Sequence, residues 1–241
     1  MSAGHSSGSV NFVQILVGPE RESLAAAGFI AAALIAVSLL ARARLSQHPT
    51  PLIPDSKLTL RNFFELVAQF LLNLADNVMG KENRKYIPFV GTLFVYLLSM
   101  NLFGLIPGFS PPTAKISFNL GIALTVFILY NFWGVREMGV FNYLKHFWGP
   151  IWWIGPLLFV VELISHFVRP LSLSLRLCGN MTGDHMVLSI FTDLTKFAIP
   201  VVFYGLGTFV CFMQAFVFTL LTMVYIRFAV AHAEHEGESH H

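Results

Sequence analysis

Between Leu157 and Phe191 an apolar stretch carries a single line of polar side chains. Glu162, Ser165, Arg169, Ser172, Arg176, Asn180 and Asp184 follow one another at spacings of three, four, three, four, four and four. On an α-helix that spacing puts all seven on one face, and the residues between them are mostly Leu, Val, Ile and Phe. A rod that is apolar on its other sides belongs in lipid or packed protein. Its polar line must face something polar, because hydrocarbon satisfies no hydrogen-bonding group. Arg176 sharpens the requirement, since a guanidinium at bilayer depth costs ~2.5 kcal/mol on insertion scales. Any one Ser or Asn of this kind reads equally well as glue to a neighbouring helix. Seven in register, with small hydroxyls and an amide flanking a fixed charge, point instead to a hydrated path for an ion or proton.

Composition places the rest of the chain in the same solvent. Of 241 residues, 55% are hydrophobic and 12% charged, and the mean hydropathy is +0.67, which describes an all-α integral membrane protein and excludes a soluble domain. Between positions 88 and 230 the only acidic residues are Glu137, Glu162, Asp184 and Asp193, so the net charge of +2 says little about partners. Cys178 and Cys211 lie far apart in apolar surroundings. They offer neither a metal-ligand spacing nor a disulfide framework, and read as small hydrophobes. No cofactor is implied.

The chain divides into five parts. Residues 1–21 form an external segment and 22–41 a first membrane helix, closed by Arg42 and Arg44. Residues 1–20 hold no Lys or Arg, and the basic residues that follow the apolar run favour a retained anchor over a cleaved signal. Residues 42–87 make a cytoplasmic linker, Pro-rich at HPTPLIPDSKL, where a helix cannot run. An amphipathic helix over 59–79 follows, for the membrane surface or a partner, with Leu60, Phe63, Phe64, Val67, Leu71, Leu74 and Val78 opposite Glu65, Gln69 and Asp76. Residues 88–230 form the ion-translocating membrane domain. Its expected spans are Pro88–Leu105, Ile116–Val135, Leu157–Phe191 and Phe197–Val230, about five crossings with the first helix. An aromatic, Trp-rich stretch over 141–156 suits a short re-entrant or interfacial piece. The last two spans each measure ~50 Å, beyond ~30 Å of hydrocarbon, and must tilt strongly or bend. Residues 231–241 form a cytoplasmic His/Glu-rich tail, solvated in preference to metal-binding.

Charge orients the bundle. The connection 42–87 carries Arg42, Arg44, Lys57, Arg61, Lys81, Arg84 and Lys85, whereas 106–115 carries only Lys115. The positive-inside rule then makes the first cytoplasmic, the N-terminus external, the C-terminus cytoplasmic, and the striped helix a path from inside to outside.

The run RPLSLSLRLCGNMTGDHMVL, followed by CFMQAFVFTLLTMVYI and preceded by MNLFGLIPG and SFNLGIAL, resembles the a subunit of F-type ATP synthases from about residue 60 onward. The resemblance implies a non-catalytic stator subunit in a bacterial inner membrane, with ATP chemistry on other subunits. Its implied partners are the c-subunit ring, the b subunits of the peripheral stalk, the remaining synthase subunits and the lipid bilayer, with no nucleic acid. Arg176 matches the essential arginine facing the ring, Asn180 and Gln214 match polar residues near it, and Ser172 matches a hydroxyl one turn before it. Glu162 and His185 match positions assigned to two aqueous half-channels. Members of the family pair the position of His185 with an ionisable residue seven before the glutamine; this chain has Gly207 there. Asp184 or water then stands as the alternative neighbour. Protons are the default ion, since the selective carboxylate belongs to the ring.

Other readings stay beside these. His185 also suits hydrogen-bonded packing, Glu162 an ion pair with Arg169, and Arg169, next to Pro170, a structural role snorkelling inward. A secondary transporter or channel acting alone would need paired broken helices, and a membrane enzyme would need clustered acid, base or phosphate-binding groups. Neither pattern stands in the sequence.

Overall fold

The computed structural model describes residues 22–45, 60–106, 112–139, 155–194 and 198–237, and all the regular structure among them is helical. Helix α1 spans Glu22–Leu45, α2 Leu60–Met79, α3 Ile87–Gly104, α4 Ile116–Met138, α5 Gly155–Leu194 and α6 Ala198–Gly237. Short 3-10 turns at Lys81–Tyr86 and Pro112–Ala114 precede α3 and α4. Helices long and apolar enough to cross a membrane lie within Glu22–Leu40, Lys81–Gly104, Ile116–Glu137 and Val201–Val230. Helix α5 covers the stretch Leu157–Phe191 expected as a further span. The aromatic stretch over 141–156 lies outside the described residues except at its last two positions, which begin α5. Helix α6 runs on to Gly237, into the segment expected to be a tail.

Helix α6 is the axis of the bundle, packed on by α2, α3, α4 and α5. Its buried residues Cys211, Ala215, Phe218, Thr222, Ile226 and Ala229 recur every three or four positions, which presents one continuous face to its neighbours. Opposing rows meet it: Val90, Leu93, Phe94 and Leu97 from α3, and Ala123, Val126 and Tyr130 from α4. Outward residues such as Leu120, Leu124, Ile128 and Phe132 are exposed, as suits a surface solvated by lipid chains. Among its described side chains, α1 buries those of its first turns, with Ala27 and Ile30 lying against Met100 of α3, while Phe29, Ile35, Leu39 and Leu40 are exposed.

Helix α2 is amphipathic as expected, and its partner is the chain itself. Leu71, Ala75 and Met79 are buried in the main core, Phe70 meets the Phe216 ring at 6.0 Å, and Arg227 of α6 donates to the Val78 carbonyl. Gly80, at φ 84°, ends α2 in a left-handed conformation that a Cβ disfavours. The chain then turns back so that Arg84 grips Asp76 through two hydrogen bonds of 2.9 and 2.6 Å. At the same end Lys85 pairs with Glu137 at 2.5 Å, tying the entry of α3 to the exit of α4.

Candidate functional site

Helix α5 passes through Pro170 without interruption. Proline contributes no N–H to the ladder, and Ser174 Oγ donates to the Pro170 carbonyl at 2.9 Å. Beyond it two rows separate. Leu173, Ser174, Leu177 and Met181 are fully or almost fully buried and fix α5 against the bundle. Ser172, Arg176 and Asn180, one residue away along the same turns, are exposed. The polar line of this segment is therefore turned out of the chain's own core. Arg176 makes no hydrogen bond or ion pair with another described residue.

One member of the line reaches across to the next helix. Asn180 Nδ2 donates to Gln214 Oε1 at 2.6 Å, and Gln214 is 3% exposed. This contact joins α5 to α6 one turn beyond Arg176 and brings together two residues matched only by resemblance. Arg169 lies with its guanidinium 5.2 Å from the centre of the Tyr225 ring, a cation–π contact that supports a structural role. Glu162 and His185 are both on α5; their side chains lie outside the described part of the structure.

Farther along, Asp184 is part-buried, and its Oδ2 is buried without a hydrogen-bond partner among the described residues. It lines a cavity of about 130 Å³ between α5, α6 and the end of α3, with Leu105, Met181, Val187, Phe203, Leu206, Gly207 and Cys211. Gly207 therefore faces Asp184 across an open space.

A second polar group escaped the sequence reading. Thr113 Oγ1 donates to Asn101 Oδ1 at 3.1 Å, Asn101 Nδ2 to the Cys211 carbonyl at 3.4 Å, and Asn119 Nδ2 to the Thr113 carbonyl at 2.6 Å. Cys178 Sγ contacts the Ala114 carbonyl at 3.1 Å. Asn101, Thr113 and Asn119 are fully buried. The Pro112–Ala114 turn is thus pinned to α3, α4 and α5, and Asn101 extends the group to α6. Only the Asn residues inside apolar runs signalled it.

These features define a class: a multi-pass helical membrane protein with a guanidinium exposed on the face of a long helix beside an amide bridge to the next one. The chain belongs to the ATP synthase A chain family, which it matches over residues 25–227. It is 46% identical to ATP synthase subunit a of Bdellovibrio bacteriovorus over 226 residues, 93% of this chain and 99% of that protein. ATP synthase subunit a of Solibacter usitatus is 41% identical over 95% of this chain and 97% of its own length. That of Geobacter sulfurreducens is 43% identical over 86% of each.

Proposed function

We propose that the chain is the stator subunit of a rotary F-type ATP synthase in a bacterial inner membrane, carrying two aqueous half-channels and an arginine gate against the c ring. The observation that carries this reading is the outward exposure of Arg176 beside the Asn180–Gln214 bridge. A charge so placed requires a polar partner, and a carboxylate on a facing ring supplies one. That carboxylate must be neutral while it moves through lipid. Meeting a guanidinium lowers its pKa, so it releases its proton there. The guanidinium keeps its own charge, and so gates the path without carrying protons. Without it, protons would pass from one half-channel to the other and the ring would not turn.

Glu162 lies 14 residues before Arg176, ~21 Å along α5, and is assigned to the inner channel mouth. His185 lies nine residues after, ~14 Å toward the outside, about 180° around the helix. The outer path must therefore cross between α5 and α6, where Asn180 and Gln214 meet, with Ser172 one turn before the gate. The b subunits and the other synthase subunits complete the assembly, which performs the ATP chemistry. The N-terminus is external and the C-terminus cytoplasmic.

ATP-driven proton pumping into vesicles carrying Arg176→Ala tests the assignment. Pumping is expected to vanish while the complex purifies with its ring, because the lost interaction is electrostatic and not packing. Normal pumping would contradict the proposal.

A further inference from the structure

The outer surface of α4 carries a feature that the proton path does not use. Leu120, Leu124, Ile128 and Phe132 are exposed, and because they recur at every fourth position they form one ridge along the helix. Arg136 continues the same ridge and is also exposed. At 1.5 Å per residue the four apolar positions cover ~18 Å, about the depth of one leaflet of a ~30 Å hydrocarbon core. Thr125, beside them, donates its hydroxyl to the Gly121 carbonyl of its own helix at 2.8 Å. The ridge therefore asks for no polar partner until it reaches the guanidinium.

At that end the chemistry changes. Trp133, three residues before Arg136, packs its ring against Tyr86 at 4.8 Å and Phe89 at 5.1 Å. Trp and Tyr gather where a membrane meets water, so these contacts mark the headgroup level. Arg136 makes no hydrogen bond or ion pair with another described residue. The acid next to it, Glu137, is already held, because Lys85 donates to its Oε1 at 2.5 Å and Tyr86 Oη donates to the same atom at 3.3 Å. Arg136 is thus an exposed positive charge at the head of an apolar ridge. Its position in the last turn of α4 suits the helix dipole, which accounts for the charge and not for the ridge.

We propose that the ridge and Arg136 together bind one anionic phospholipid, in the leaflet that is cytoplasmic in the orientation given above. The guanidinium receives the phosphate, whose oxygens match its planar fork. Trp133 stands at the depth of the glycerol esters, and an acyl chain lies along Phe132, Ile128 and Leu124. The two halves of the site select this occupant. A soluble phosphate gains nothing from the ridge, and a zwitterionic lipid brings its own cation to compete with Arg136 for the phosphate. An apolar helix of a partner protein would leave the guanidinium unpaired, at a cost. The site is separate from the Arg176 stripe on α5, so each stands or falls without the other.

The test uses the whole complex in vesicles that contain equal amounts of phosphatidylglycerol and phosphatidylcholine. Either lipid is added with the same photoreactive acyl chain, and adducts on α4 are measured by mass spectrometry. Phosphatidylglycerol is expected to label α4 about fivefold more than phosphatidylcholine, the factor that corresponds to ~1 kcal/mol for one basic residue near a charged surface. Arg136→Gln should bring the ratio to about one, and Arg136→Lys should keep most of it. Arg176→Ala should leave it unchanged, which separates this site from the gate. Equal labelling by the two lipids in the parental complex overturns the headgroup contact. Adducts from neither lipid would show that another subunit covers the ridge, and would overturn the site. Loss of the preference when glycerol phosphate is added to the bath would assign the site to a soluble phosphate and defeat the lipid assignment. Should the Arg136 variants not assemble, the parental complex at high ionic strength carries the test. The ratio should then fall toward one as salt screens the contact, and a ratio indifferent to salt overturns it.

Discussion

Two polar regions sit in apolar surroundings in this protein, and they meet opposite fates. Asn101, Thr113 and Asn119 turn inward and are fully buried, their side chains joined to one another or to backbone carbonyls. Ser172, Arg176 and Asn180 turn outward, and Arg176 makes no hydrogen bond or ion pair with any other described residue. Inward groups that find partners within the chain specify how helices pack. An outward charge that finds none implies a surface completed by another molecule. In these two regions the inward cluster serves packing and the outward stripe awaits a partner.

The contrast breaks most visibly at Arg176. Replacing it by Lys keeps the charge and removes the planar fork, and a compact, strongly hydrated ammonium does not reproduce it. Ion-driven ATP synthesis per assembled complex is expected to fall about a hundredfold or more, equivalent to about 2.7 kcal/mol. A lysine variant that turns over normally would reduce the outward group to a point charge.

Asn101→Leu should behave in the opposite way. It leaves Thr113 Oγ1 without its acceptor and removes the bond to the Cys211 carbonyl, a cost of about 1–2 kcal/mol. Thermal unfolding of the purified complex should begin at lower temperature, while turnover per assembled complex stays near the parental value. A catalytic loss as large as that at Arg176, with unaltered thermal stability, would erase the distinction between the two regions.

The smallest effect belongs to the surface clasp of Asp76 and Arg84. The hydrogen bond from Arg84 holds the Asp76 carboxyl below its ordinary value of 3.8. Its contribution is therefore complete above that value and is lost as pH falls through the depressed one. Asp76→Asn should remove this acid-side loss and leave thermal stability at neutral pH little changed, because exposed ion pairs contribute little. A large drop at neutral pH would show that the clasp anchors α2 on the bundle.

The sequence made the helices legible because apolar runs and their charged ends are local signals. The second span was expected from Pro88 and begins at Ile87; the fourth was expected from Leu157 and begins at Gly155. Periodicity showed that Arg176 and Asn180 share a face, and resemblance matched Asn180 and Gln214. Neither shows which way that face points, since direction depends on the helices packed behind Leu173 and Leu177. The Asn101–Thr113–Asn119 cluster was hidden because its members come from two helices and a turn. The cavity beside Gly207 was hidden because Leu105, which also lines it, lies far away in the sequence, at the end of α3. Likewise, the apolar face of α2 was plain, but nothing local showed that α6 covers it.

The outward direction of the Arg176 stripe is tested most directly by cross-linking to the ring. In a chain with Cys178→Ala and Cys211→Ala, a cysteine is placed at Ser172, on the exposed line, or at Ser174, which is 0% exposed. The facing ring helix carries a cysteine one turn from its carboxylate. Oxidation of the assembled complex is predicted to join the two chains through Ser172→Cys and not through Ser174→Cys. A cross-link from Ser174→Cys with none from Ser172→Cys would mean that the stripe faces the interior of its own bundle, contradicting the account.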